Sequence, residues 1–250
     1  WMETYFYCFF GYATHGLLDA CTSYGTQLFW PFTDERISWN NISVVDPLLT
    51  VPIIIFIIFS ILKKNKFITL FGVFYIFLYL GIGVVQENRA EKLGKSIANM
   101  RGHESKRLTV KPSLGNLFLW KAIYEDNGFY YVDAVRLLSK LEYCQGTKIK
   151  KLDTSNNFMG LNQNSQQYKD IERFNWFSQG YLGVGTQKNI ITDVRYSAVP
   201  NEVDGLWGIQ INPSKKNFEH VDWVVNRTTY KAKWKRFLDL LLGKGCKEIT

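Results

Sequence analysis

Histidine is scarce in this chain, and its cysteines are few and widely spaced. Only His15 lies in the first 100 residues, with His103 and His220 further on, so an imidazole-rich metal centre within the first half is excluded. Cys8, Cys21, Cys144 and Cys246 form no C-x-x-C pair, which removes zinc knuckles and thioredoxin-like redox motifs. No internal repeat and no low-complexity tract is present. The first apolar run has no charged leader and no small-residue cleavage site, so it does not read as a signal peptide. Trp1 is not an initiator residue, and the expectation is a chain truncated at its N-terminus.

Long apolar runs, by contrast, are present. Residues 44–62, VVDPLLTVPIIIFIIFSIL, and 67–85, FITLFGVFYIFLYLGIGVV, each have the length of a bilayer-crossing helix. Core helices of a soluble protein share this composition. Two nearly pure runs placed nearly back to back favour membrane spans. Pro47 and Pro52 suit the first turns of a helix. The linker Lys63, Lys64, Asn65, Lys66 is basic, a pattern that favours the cytoplasmic side. This places the polar remainder of the chain on the extracytoplasmic side of the membrane.

The two parts of the chain differ in kind. Residues 1–85 are expected to form a helical membrane region with at least three helices, two of them transmembrane spans. Residues 86–250 carry most of the polar and basic side chains behind the net charge of +8 and are expected to form a small α+β polar domain with an antiparallel sheet. In it, 86–103 reads as a basic helix that leaves the membrane, with Leu93, Ile97 and Met100 at helical spacing. RLTVKPS (107–113), FYYVDAVRLL (129–138), GYLGVGT (180–186) and GLWGIQI (205–211) read as strands, and 228–242 reads as a helix striped by Trp234, Phe237, Leu238 and Leu241. Loops are expected at 162–164 and 200–201. Cys144 and Cys246 form a disulfide if the domain lies outside the cytoplasm, or are two unrelated thiols. Lysines in 86–250 are dispersed and no nucleic-acid recognition module is visible. Attraction to anionic lipid headgroups accounts for the same charges, so membrane lipids are the expected partner and nucleic acid is not.

The candidate chemistry lies in A-T-H-G-L-L-D-A-C-T-S-Y-G-T-Q-L-F-W-P-F, residues 13–32. Residues 4–24 read as a helix, which puts His15 and Asp19 at i and i+4 on one face. The pair can offer two metal ligands, or it can be a polar seam in which one side chain simply bonds the other. Asp46 can be a third ligand, or it can cap the helix that Pro47 opens. Gly25 suits a sharp helix exit, and Trp30 and Phe32 suit the headgroup level. His103 and His220 lack ligand-spaced partners and read as structural. Asp193, Arg195 and Tyr196 read as a turn or an ion pair.

The combination H-x-x-x-D, T-S-Y-G-T, W-P-F and D-P-L resembles the YdjM-like family of bacterial inner-membrane proteins described as membrane-bound metal-dependent hydrolases. F-N-W-F-S-Q-G-Y (174–181) and D-V-R-Y (193–196) also resemble its C-terminal region. The resemblance implies a multi-pass protein of the bacterial inner membrane. It implies His15, Asp19 and Asp46 as metal-binding and catalytic residues, holding a divalent ion, zinc or manganese. Such an ion, coordinated at about 2.0–2.2 Å with one open position, activates water against a lipid or phosphoester substrate. The family's H-R-x-x-T-H-S motif is absent here, so the chain alone makes a partial site. The alternative is a non-catalytic membrane protein that anchors or regulates a partner.

Overall fold

The computed structural model describes residues 1–153, 161–185, 189–226 and 230–249. It divides into two compact units. Unit 1 is 1–90 with 110–120, and unit 2 is 91–109 with 121–250.

Unit 1 is built on helices. α1 (Met2–Cys21) is followed by a long loop, then α2 (Pro47–Lys63) and the start of α3 (Lys66–Met100). The 44–62 run does not become a spanning helix. The Asp46 carboxylate accepts from the N–H groups of Leu48 and Leu49 at 3.1 and 3.3 Å, and Pro47 follows with no N–H of its own. Helical geometry therefore begins at Pro47 and leaves Val44 and Val45 outside. At the other end Lys64 turns left-handed, with φ 48°. The resulting 17 residues extend about 26 Å, short of a hydrocarbon core of about 30 Å.

α3 is the one helix among the described residues that is long and apolar enough to cross a membrane. Two expectations are thereby corrected: the structure presents one candidate span rather than two, and the multi-pass topology built on two is not what it shows. A core helix of a soluble protein would pass the same test of length and composition, but only 17% of this apolar window is buried. Phe67, Leu70, Phe71, Phe74 and Phe77 lie exposed along it, an apolar surface that water penalises and lipid does not. The basic helix expected over 86–103 occurs as the continuation of the apolar run, α3 running unbroken to Met100 for 35 residues. Gln86 and Glu87 are good helix formers, and nothing between Val85 and Leu93 acts as a breaker.

Unit 2 carries most of an antiparallel sheet. β1 (Arg107–Pro112), β2 (Leu119–Asp126), β3 (Phe129–Leu137), β4 (Leu141–Lys151), β5 (Leu182–Val184), β6 (Ile190–Asp193), β7 (Trp207–Gln210) and β8 (Asp222–Val225) lie in sequence order across it. β9 (Lys247–Glu248) adds on to β4. β5–β6–β7 keep Ile191 opposite Val184 and Ile209, so one face is apolar. α4 (Gln166–Phe177) packs Ile171 and Phe174 on that face, closing a core with Leu182, Ile191, Ile209 and Ile211. Ser165 caps α4 by accepting from the Tyr168 N–H at 3.3 Å. α5 (Tyr230–Leu241) buries Phe237 and Leu240. The four strands expected from the sequence all occur, with β5 and β7 trimmed at both ends. Thr186, at the end of the third, and residues 228–229, at the start of the late helix, lie outside the described residues. Cys144 and Cys246 are joined in a disulfide across 102 residues, the first of the two readings of that pair.

Candidate functional site

The sequence directs attention first to His15, Asp19 and Asp46. α1 ends where the Thr22 N–H and Oγ1 both donate to the Asp19 carbonyl, at 3.0 and 2.8 Å. One turn back, His15 Nδ1 stands 3.3 Å from Asp19 Oδ2. The pair is thus brought together as its spacing requires. Both side chains face outward, 69% and 49% exposed, where such a pair contributes a few tenths of a kcal/mol.

Asp46 has a different setting. It is buried, with Oδ1 taken by the two helix N–H groups and Oδ2 accepting from the Tyr79 hydroxyl at 2.8 Å. The capping reading is therefore realised, and both oxygens already have donors. The Tyr75 hydroxyl bonds the Leu48 carbonyl in the next turn. Together these two tyrosines fasten the first turn of α2 to α3.

The loop between α1 and α2 is closely tied down. Gly25, at φ 80°, allows the reversal that lets Thr26 and Ile37 exchange hydrogen bonds of 2.9 and 2.8 Å. Arg36 Nη2 donates to the Tyr24 and Gly25 carbonyls, both at 3.0 Å. The carbonyls freed at the end of α1 are used as well: Ala20 accepts from Trp39, and Cys21 from Asn41 and Ile42. Lys111, buried on β1, donates to the Ser23 carbonyl at 3.0 Å and to Asn40 Oδ1 at 2.7 Å. Gln86 Nε2 reaches the Leu117 carbonyl at 2.9 Å. Asn116 accepts from the Phe118 and Leu119 N–H groups while donating to Ser113 Oγ. The buried polar groups of unit 1 thus hold a loop and a turn in place.

Unit 2 holds a further buried polar cluster. Lys121 Nζ donates to Ser197 Oγ at 2.7 Å and to the Glu202 carbonyl at 2.8 Å. Burial pulls its amine down to about 7, against the opposing field of Asp193, Glu202 and Asp204. Arg195 forms a two-point ion pair with Asp193, Nε to Oδ1 at 3.0 Å and Nη2 to Oδ2 at 2.8 Å. It also donates to the Phe177 carbonyl and to Gln179 Oε1. D-V-R-Y is therefore a brace between β6 and the end of α4. Near it a cleft of about 270 Å³ opens on the other face of β6–β8, lined by Ile149, Ile190, Thr192, Val203, Val224 and Asp204. Among the described residues of its lining, Asp204 is the ionisable one.

His103 Nδ1 meets the Tyr124 hydroxyl at 2.9 Å, and His220 Nδ1 meets Asp170 Oδ2 at 2.9 Å. Each histidine is thus held by a neighbouring side chain. Among the described residues no group of three or more His, Cys, Asp or Glu side chains is placed to hold a metal ion. His15 and Asp19 supply two donors where catalytic zinc sites use three. Among the described residues such a ligand set is therefore incomplete. Sequence reasoning missed Lys111 and Lys121. Each is a lone lysine inside an apolar strand, T-V-K-P and L-W-K-A-I, and that isolation was the available signal.

Residues 1–90 match the family model described as YdjM inner membrane protein. The match covers just over a third of the chain and ends before the 174–181 and 193–196 stretches. No curated protein and no solved structure matches the chain.

Proposed function

We propose that this chain is a non-catalytic anchor protein of the bacterial inner membrane. On this reading α3 crosses the bilayer once and holds the basic, disulfide-bonded unit 2 at the membrane surface, where it engages or regulates a partner. The observation that carries the reading is α3 itself. Its apolar part is exposed, and the same helix runs on without a break into Leu93 and Ile97, which are buried. A helix with an exposed apolar part that is continuous in sequence with a polar domain suits an anchor.

Two features support a side. Lys63, Lys64 and Lys66 stand at the start of α3, where cations favour the cytoplasm. The Cys144–Cys246 disulfide belongs to the part that follows α3, and disulfides persist in oxidising compartments. Both support unit 2 on the extracytoplasmic face. Alkaline carbonate extraction of membranes tests the anchor. The protein should stay in the pellet, and release into the supernatant overturns the reading.

A second reading rests on the His15–Asp19 pair and the match of residues 1–90. It is the metal-dependent hydrolase acting on an ester or phosphoester at the membrane surface, with zinc or manganese held in part by that pair. Metal analysis of the purified protein tests it: stoichiometric metal lost in both His15→Ala and Asp19→Ala supports the hydrolase, and its absence from the parent protein removes it.

A further inference from the structure

The apolar surface of α5 is buried along one edge and exposed along the other. Phe237 and Leu240 are buried and seat the helix on unit 2. Trp234, Leu238 and Leu242 follow one another at i, i+4 and i+8 along the outer edge of that surface, with the Trp234 ring stacked on Phe237 at 5.4 Å between centroids. This stripe faces outward, 53%, 38% and 67% exposed. Leu242 lies just past α5, but its N–H still donates to the Leu238 carbonyl at 3.0 Å, which keeps it in register.

The helix is held firmly in that orientation. Arg136 Nε donates to the Leu241 carbonyl at 2.9 Å. The disulfide then fixes Cys246 to β4, and β9 pairs Lys247 with Tyr143 on the same strand. The stripe is thus presented, at no further ordering cost, by a preformed element.

Its surroundings are cationic. From 233 to 248 there are five cations and two carboxylates; Arg236 pairs with Glu202 and Lys244 with Asp239, so the surplus rests on Lys233, Lys235 and Lys247. The surplus favours an anionic occupant. Three side chains in a row supply far less than the roughly 800 Å² per partner of a stable protein interface. A tryptophan and two leucines beside lysines are instead the composition of a helix lying in the headgroup layer.

We propose that α5 is an interfacial helix whose Trp234–Leu238–Leu242 stripe seats in an anionic phospholipid surface. The proposal rests on the anchor reading above. The tether through α3 raises the local concentration of α5 at the bilayer, so a short stripe suffices.

The test uses the full-length protein in nanodiscs, with phosphatidylcholine alone or mixed with phosphatidylglycerol, and with lipids brominated at shallow depth. Wild type should lose more tryptophan fluorescence than Trp234→Phe. The difference should grow with phosphatidylglycerol and fall in high salt. Lys233→Glu with Lys235→Glu should weaken docking about fivefold per lysine. Leu238→Ser with Leu242→Ser should lower the quenching while Trp234 is still present. Equal quenching of wild type and Trp234→Phe overturns the proposal. So does quenching indifferent to phosphatidylglycerol. Shielding of Trp234 that follows the number of chains per disc assigns the stripe to a second copy and also overturns it. Carbonate extraction of the same samples reports α3 separately, so loss of the anchor is distinguishable from loss of α5 docking.

Discussion

Replacing Lys121 by methionine should change the pH dependence of stability in a definite direction. The Lys121 ammonium is fully buried, and burial lowers its pKa from 10.5 to about 7. The unfolded chain therefore binds one more proton than the folded chain between these values. Stability rises with pH across that window, by up to about 1.4 kcal/mol per pH unit. The contribution is complete above about pH 10.5 and is lost as pH falls towards 7. Its full span is on the order of 5 kcal/mol. Methionine has nearly the same length and no charge, but it leaves the Glu202 carbonyl without this donor. The absolute stability change therefore mixes terms, whereas the pH slope isolates the amine. Denaturant unfolding of the full chain in detergent, followed by near-ultraviolet ellipticity from pH 6 to pH 10, gives both curves. Wild type should gain on Lys121→Met as pH rises through 7 and beyond. Parallel curves would refute a buried amine with a lowered pKa.

Reducing the Cys144–Cys246 bond, which closes 102 residues, should destabilise unit 2 by about 2–5 kcal/mol, visible as a lower Tm with reductant. Gly83→Ala would set a Cβ 2.4 Å from the Asn41 carbonyl oxygen. It should cost about 1–3 kcal/mol and speed hydrogen exchange across residues 37–42. Asp46→Ala removes the α2 cap and the acceptor of the Tyr79 hydroxyl. A loss of about 1 kcal/mol is expected from the cap alone, and Asp46→Asn should restore most of it.

Some of this was legible in the sequence, for identifiable reasons. The 67–85 run announced a spanning helix because its character is purely compositional. Asp46–Pro47 was also legible as a helix start, yet its consequence for length was not: one capping aspartate sets where α2 begins and makes it too short to span. β3 showed itself through aromatic and β-branched residues. β2 did not, because nearly all of its residues are buried and period-two alternation is lost. β4 carries Gly146 and three lysines, and its place is set by pairing with β3 and β5, a long-range matter that local pattern does not record. At the candidate site, spacing alone put His15 beside Asp19. The engagement of both Asp46 oxygens was not legible, since Tyr79 lies 33 residues away. Lys111 and Lys121 owe their burial to partners about 70 to 90 residues distant.

The central claim is that one helix crosses the inner membrane and leaves the disulfide-bonded domain on the oxidising side. Protease added to spheroplasts tests it most directly. The account predicts digestion of unit 2 once the disulfide is reduced, with a membrane-held fragment containing α3 left behind. Full protection of unit 2 in sealed spheroplasts, with digestion only after lysis, would contradict it.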